Sequence, residues 1–180
     1  MSHPFVSLPP EYRWPAFIGL FLATICLMVV LGSQGKSLKN CATPNGIGSL
    51  QFAWHREKAQ MMINAWDADQ QATARKQTLV DFAFLIVYPL AISLTCGMLT
   101  GSPFAVLADV GRFLAWAVLL AGLLDAAENV ATLRMLASGA TEVRAQVTSW
   151  CATGKYALVF AGLGYLVLGG GAVLIRWLRG

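Results

Sequence analysis

The sequence predicts an all-α polytopic membrane protein: an antiparallel four-transmembrane-helix bundle with an amphipathic interfacial helix between spans 1 and 2. Three observations predict it. Of 180 residues, 57% are hydrophobic and only 12% charged, with a mean hydropathy of +0.60, whereas soluble domains carry about 25% charge. Four stretches are apolar for about the 20 residues that a helix needs to cross a bilayer core. After residue 49, apolar residues recur at three- and four-residue steps, the period of a helix with one wet face.

Taken in order, residues 1–13 read as a polar tail kept extended by Pro4, Pro9 and Pro10. Glu11, Tyr12, Arg13 and Trp14 make an interfacial collar, and Pro15 suits a first helical turn. Span 1 covers about 14–34; its apolar core is long for a signal peptide, so a retained helix is expected. Residues 36–48 hold Asn40, Pro44, Asn45, Gly46 and Gly48, a loop signature. The amphipathic helix follows at about 49–66, with Trp54 and Trp66 placed for the headgroup level. Asp67 and Gln70 form a capping box that starts a new helix running into span 2, about 79–100, in which Pro89 predicts a kink. Gly101-Ser102-Pro103 makes a tight turn into span 3, about 104–134, and residues 137–153 form a second loop before span 4, about 155–177. Glycines 162, 164 and 169–171 allow close helix approach in lipid. The length fits a single membrane domain, 1–180.

The net charge of +4 does not indicate nucleic-acid binding, because the thirteen Lys and Arg are scattered rather than striped. Their distribution speaks to topology. Nine basic residues fall on the face of the two large loops and four on the other, which favours cytoplasmic loops in a bacterial inner membrane. The compact Arg176-Trp177-Leu178-Arg179 end argues the opposite way. Cys41 and Cys151 lie on one face, where a disulfide is allowed and would persist only under oxidising conditions.

Within span 3 the run Asp125-Ala126-Ala127-Glu128-Asn129 interrupts an otherwise apolar helix. Ionisable groups inside a membrane are expensive and by default mark a function or a specific partner. Asp125, Glu128 and Asn129 stand at i, i+3 and i+4 and so share one side of the helix. Asp81 and Tyr88, seven residues apart, share a face of span 2, and Lys155 opens span 4. Helix rise puts Asp81, Asp125 and Glu128 in the same half of the bilayer. Three carboxylates in low dielectric cannot all carry charge cheaply, so protonation or a cation such as Lys155, Lys76 or Arg134 is expected to compensate. Metal binding is not expected: His3 and His55 lack ligand spacing to any other His or Cys. No nucleotide, haem or nucleophile motif calls for a cofactor. An ion pathway is disfavoured because spans 1 and 4 offer no charge at mid-depth.

At Asp81-Phe82-Ala83-Phe84, Tyr88 and Asp125-Ala126-Ala127-Glu128-Asn129, the chain resembles small bacterial integral-membrane proteins in which D-x-x-F opens the second span and D-x-x-E-N closes the third. That resemblance covers about residues 47–136 and implies no activity. In size and span number the chain is similar to quinone-linked membrane thiol oxidases, but Cys41 is followed by Ala42, Thr43 and Pro44 rather than a C-x-x-C, so their redox chemistry does not carry over.

The expected function is binding or transformation of a lipophilic small molecule, or a membrane lipid, at this cluster. Asp125 and Glu128 are the candidate acid/base groups, assisted by Asp81. Asn129, Tyr88, Lys155, Trp54 and Trp66 are the candidate ligand-binding residues. The alternative is a non-catalytic membrane subunit or scaffold, with a membrane-protein partner and a purely structural acidic cluster.

Overall fold

The computed structural model describes residues 2–101 and 105–178. Among them the chain is helical, without a strand: α1 (Pro10–Gly35), α2 (Ile47–Gln51), α3 (Arg56–Asn64), α4 (Ala68–Met98), α5 (Ala105–Ser138) and α6 (Glu142–Leu178). Helices α1, α4, α5 and α6 are long and apolar enough to cross a membrane. The expected Ser102-Pro103 turn, the start of span 3 at residue 104 and Arg179 of the basic end lie outside the described residues. The chain divides into two compact units. One comprises Met1–Thr24, Ile86–Gly122 and Lys155–Gly180, the other Ile25–Leu85 and Leu123–Gly154.

The first unit is packed through small residues. Cys96, Leu114, Ala115 and Tyr165 are buried together, with Ile92, Leu99, Leu107 and Leu166 against them. Gly162 is where α6 comes close, since a Cβ there would lie 2.9 Å from side-chain atoms of both Ile92 and Val118. Without hydrophobic drive in lipid, such close contact and interhelical hydrogen bonds hold helices together. Ser93 accordingly donates to the Ala115 carbonyl, and the Tyr165 hydroxyl donates to Leu107 O at 2.9 Å.

The N-terminal segment is docked rather than extended. The Trp116 indole donates to Ser2 O at 2.8 Å, and His3 Nδ1 accepts from Phe5 N at 3.2 Å. His3 is 8% exposed and lies against Gly97, where a Cβ would overlap its ring. Pro10, not Pro15, opens α1.

Burial, and then the charges of Arg13 and Arg112, hold the His3 pKa below its ordinary 6.5. A folded pKa below the unfolded one means that docking is fully favoured above about pH 6.5 and is lost as pH falls through the folded value. Amide exchange of residues 2–9, corrected for intrinsic rates, should therefore accelerate between about pH 7.5 and pH 5. In His3→Gln it should not. Wild-type protection that is flat over that range would remove the role given to His3.

The second unit departs most from expectation. Its core is Leu38, Leu50, Ala53, Ala59, Met62, Ile63, Trp66, Ala74, Met135, Leu136, Ala140 and Ala145. The connector 36–67 thus folds around α4, α5 and α6 instead of forming one helix over 49–66. It breaks at 52–55, where Trp54 has φ 62°. A bulky residue there is a backbone outlier held by its surroundings. Trp54 N donates to Ser149 Oγ at 3.0 Å, and its ring meets Trp150 edge-on with centroids 5.1 Å apart.

Asn40 organises the loop before α2. Its Oδ1 accepts from Ala42 N and Thr43 N, each at 2.9 Å, while its Nδ2 donates to Ala65 O at 3.1 Å. The capping box is formed reciprocally: Gln70 N donates to Asp67 Oδ1 at 2.8 Å, and Asp67 N to Gln70 Oε1 at 3.1 Å.

The expected loop at 137–153 is mostly helix. Only residues 139–141 separate α5 from α6. Gly139, at φ 83°, ends α5 with its N–H on Met135 O at 2.9 Å, the left-handed stop that glycine favours. Arg144 covers the freed end of α5, donating to Arg134 O at 3.2 Å and Gly139 O at 3.0 Å. Thr141 caps α6 by accepting Arg144 N at 3.3 Å. No disulfide joins Cys41 to Cys151 among the described residues.

Candidate functional site

The acidic run lies in the second unit and faces inward. On α5, Asp125 is 2% exposed, Glu128 1%, Asn129 4% and Thr132 3%. On α4, Asp81 is half-buried and accepts a hydrogen bond at its Oδ2 from Asn129 Nδ2 at 2.8 Å. Helical spacing explains the shared face, because 128, 129 and 132 stand at i+3, i+4 and i+7 from 125.

Beside this pair lies a cavity of about 90 Å³ lined by Leu31, Ile47, Gln51, Gln77, Thr78, Asp81, Glu128, Asn129 and Thr132. Four elements contribute: the end of α1, α2, the first half of α4 and the second half of α5. Gln77 fastens α1 to α4 by donating from Nε2 to Leu31 O at 2.9 Å. Gly35 permits that approach, since a Cβ there would stand 3.1 Å from the same nitrogen. With its amide oriented by that bond, Gln77 leaves Oε1 buried without a hydrogen-bond partner among the described residues. Thr78 donates back to Ala74 O at 2.8 Å.

The cavity has room for a small polar group but not for a whole lipophilic molecule. Sites that enclose drug-sized ligands measure roughly 300–1,000 Å³, and one water accounts for about 30 Å³ of liquid. Asp125 is not on its wall. Among the expected site residues, Asp81, Glu128 and Asn129 therefore come together, with Asp125 buried on the same α5 face. Tyr88 and Lys155 belong to the first unit, where both are buried. The Lys155 ammonium lies 5.4 Å from the ring centroid of Tyr156.

Trp54 and Trp66 do not line the cavity. Trp66 is 2% exposed, and its indole donates to Leu38 O at 2.9 Å and Thr43 Oγ1 at 3.2 Å. Its place is in the core of the second unit. Sequence reading missed Gln77 and Thr78, although they precede Asp81 by four and three residues and so share its helix face.

A second concavity, about 1050 Å³ and open, runs along α3 past His55, Gln60, Met61 and Glu142. Its polar contacts serve the fold. Glu142 accepts Arg56 N at 2.8 Å and faces His55 Nδ1 at 3.1 Å, which caps an α3 whose own N-cap side chain makes no such bond. No cluster of three or more His, Cys, Asp or Glu side chains is arranged for a metal among the described residues. No family model, curated protein or solved structure matches this chain.

Proposed function

We propose that this is an integral protein of the bacterial inner membrane, an antiparallel four-span bundle that binds or transforms a lipophilic small molecule at its Asp/Glu/Asn cluster. The molecule's polar head enters the cavity while its apolar part stays in the lipid. The observation that carries this reading is a built polar recess among apolar helices, lined by Asp81 and Glu128 and by Gln77, whose buried Oε1 has no hydrogen-bond partner among the described residues. Buried polar atoms are nearly always satisfied, so a recess of this kind supports a ligand. Glu128, on the cavity wall, is the acid/base candidate, with Asp125 buried on the same α5 face, and Asn129 donates to the Asp81 carboxylate. The connector 36–67 lies at the membrane interface, on the cytoplasmic side by the charge balance of the loops.

A scaffold reading draws support from the Asn129–Asp81 bond, which joins α4 to α5; such bonds are worth about 0.6–2 kcal/mol in membranes. Native mass spectrometry with lipid extraction separates the two. Wild type should release a discrete lipophilic species that the Asp125→Asn, Glu128→Gln double variant, still folded by circular dichroism, has lost. A folded variant that retains the species, or a wild type that carries none and copurifies with a membrane protein, would favour the scaffold.

A further inference from the structure

The start of α6 carries an aromatic pair that belongs neither to the core of the second unit nor to the cavity wall. Trp150 is 66% exposed, and the Trp54 ring meets it edge-on with centroids 5.1 Å apart. Phe52, on the same turn of the connector, is exposed as well. The fold accepts strain to make this pair. Trp54 holds φ 62°, a conformation that costs a bulky residue free energy, while its backbone N–H donates to Ser149 Oγ, next to Trp150.

Helix α6 supplies a ruler. Between Arg144 and Arg176 its one charged residue is Lys155, which is buried. The outer surface of α6 is therefore free of charge for about 48 Å, at 1.5 Å of rise per residue. A bilayer measures about 30 Å across its hydrocarbon core and about 40–45 Å with its headgroups, so the stretch matches the whole bilayer with an arginine beyond each side. Its midpoint is Phe160, an exposed residue. Trp150 stands about 15 Å of rise from that midpoint, the depth at which hydrocarbon gives way to headgroups. Tryptophan is enriched at that boundary, because its ring is apolar and its N–H polar.

An exposed aromatic face could instead receive a protein. Continuity along the helix favours lipid. Leu168, five turns further along, shares the face of Trp150 and is 76% exposed, so the face extends unbroken into the part of α6 that crosses the hydrocarbon.

We propose that Trp150 and Trp54 bind the headgroup layer of the bilayer, as an anchor that fixes the connector to the membrane surface. This rests on the four-span reading above. The anchor fastens α2 too, which ends three residues before Trp54 and gives Ile47 and Gln51 to the cavity wall.

The test uses the full chain, labelled with fluorotryptophan, in phosphatidylcholine nanodiscs and read by fluorine NMR. Trp150→Phe and Trp54→Phe assign two resonances, and Phe160→Trp adds one at mid-span. Three paramagnetic probes are applied in turn: a lipid nitroxide on the headgroup, a lipid nitroxide at the end of the acyl chain, and a water-soluble gadolinium chelate. Trp150 and Trp54 should lose most signal to the headgroup nitroxide, and the Phe160→Trp resonance to the acyl-chain nitroxide. Trp66, 2% exposed, should change least with each probe. If Trp150 responds to the chelate and to neither lipid probe, its face lies in water, which overturns the anchor in favour of a protein-docking surface. If it responds most to the acyl-chain nitroxide, it lies in the hydrocarbon, and the anchor is again overturned. In both cases the four-span reading stands when the Phe160→Trp resonance responds to the acyl-chain probe. If that resonance responds to the chelate instead, the four-span reading falls, and the anchor with it.

Discussion

Trp66→Ala should be the most damaging single substitution in the second unit, lowering its stability by about 3–5 kcal/mol, the range for emptying a buried aromatic site. Two losses combine. The indole is part of a core built from the connector, α4, α5 and α6, and its removal leaves a large cavity there. The indole N–H also satisfies Leu38 O, where the turn after α1 ends. Trp66→Phe separates the two, since it keeps most of the volume and removes the donor. It should cost about 1 kcal/mol, the net worth of a lost hydrogen bond, since Leu38 O keeps the bond it accepts from Thr43 Oγ1 at 2.8 Å. Reversible unfolding in detergent, followed by near-UV circular dichroism, measures both. If the alanine variant unfolds within about 1 kcal/mol of wild type, Trp66 is not the keystone of the connector.

Gly111→Ala should destabilise the first unit by about 1–3 kcal/mol, the usual cost of overpacking. The sign is informative, because in an unobstructed helix interior the same change is favourable by about 1 kcal/mol. Here a Cβ would overlap the Tyr165 hydroxyl and approach Cys96 O to 3.1 Å. That hydroxyl is held by its bond to Leu107 O and is not free to step aside. Tyr165→Phe alone should cost about 1 kcal/mol through the lost hydrogen bond. Added to Gly111→Ala it should recover part of the damage, so the pair should be clearly non-additive. Strict additivity in the four-member cycle would mean that α5 and α6 do not meet through this contact.

What the sequence revealed followed what each signal measures. Charge-free length located the four long helices, because crossing a bilayer is a demand on composition. The Asp67/Gln70 box was legible since capping is local. The start of α6 was misplaced by thirteen residues (142 rather than 155) because Glu142, Arg144 and Lys155 look like loop residues to a hydropathy reading. A helical count would have found it: Ala145, Thr148, Ser149 and Ala152 are buried at three- and four-residue steps. The broken connector was harder. Nothing in the pattern marks Trp54 for a positive φ, and the partners of Trp66 lie 28 and 23 residues away. The acids were visible as an anomaly, but Gln77 was not, since its meaning comes from Leu31, 46 residues upstream.

The Asn129–Asp81 bond also bears on the order in which the chain is made. Ribosomes synthesise from the N-terminus, so Asp81 is already available when Asn129 emerges. α5, bearing two acids and an amide along one side, thus enters with a waiting partner, followed across only three residues by α6. A nascent chain that ended before α5 would present Asp81 without the Asn129 amide that it accepts from in the complete fold.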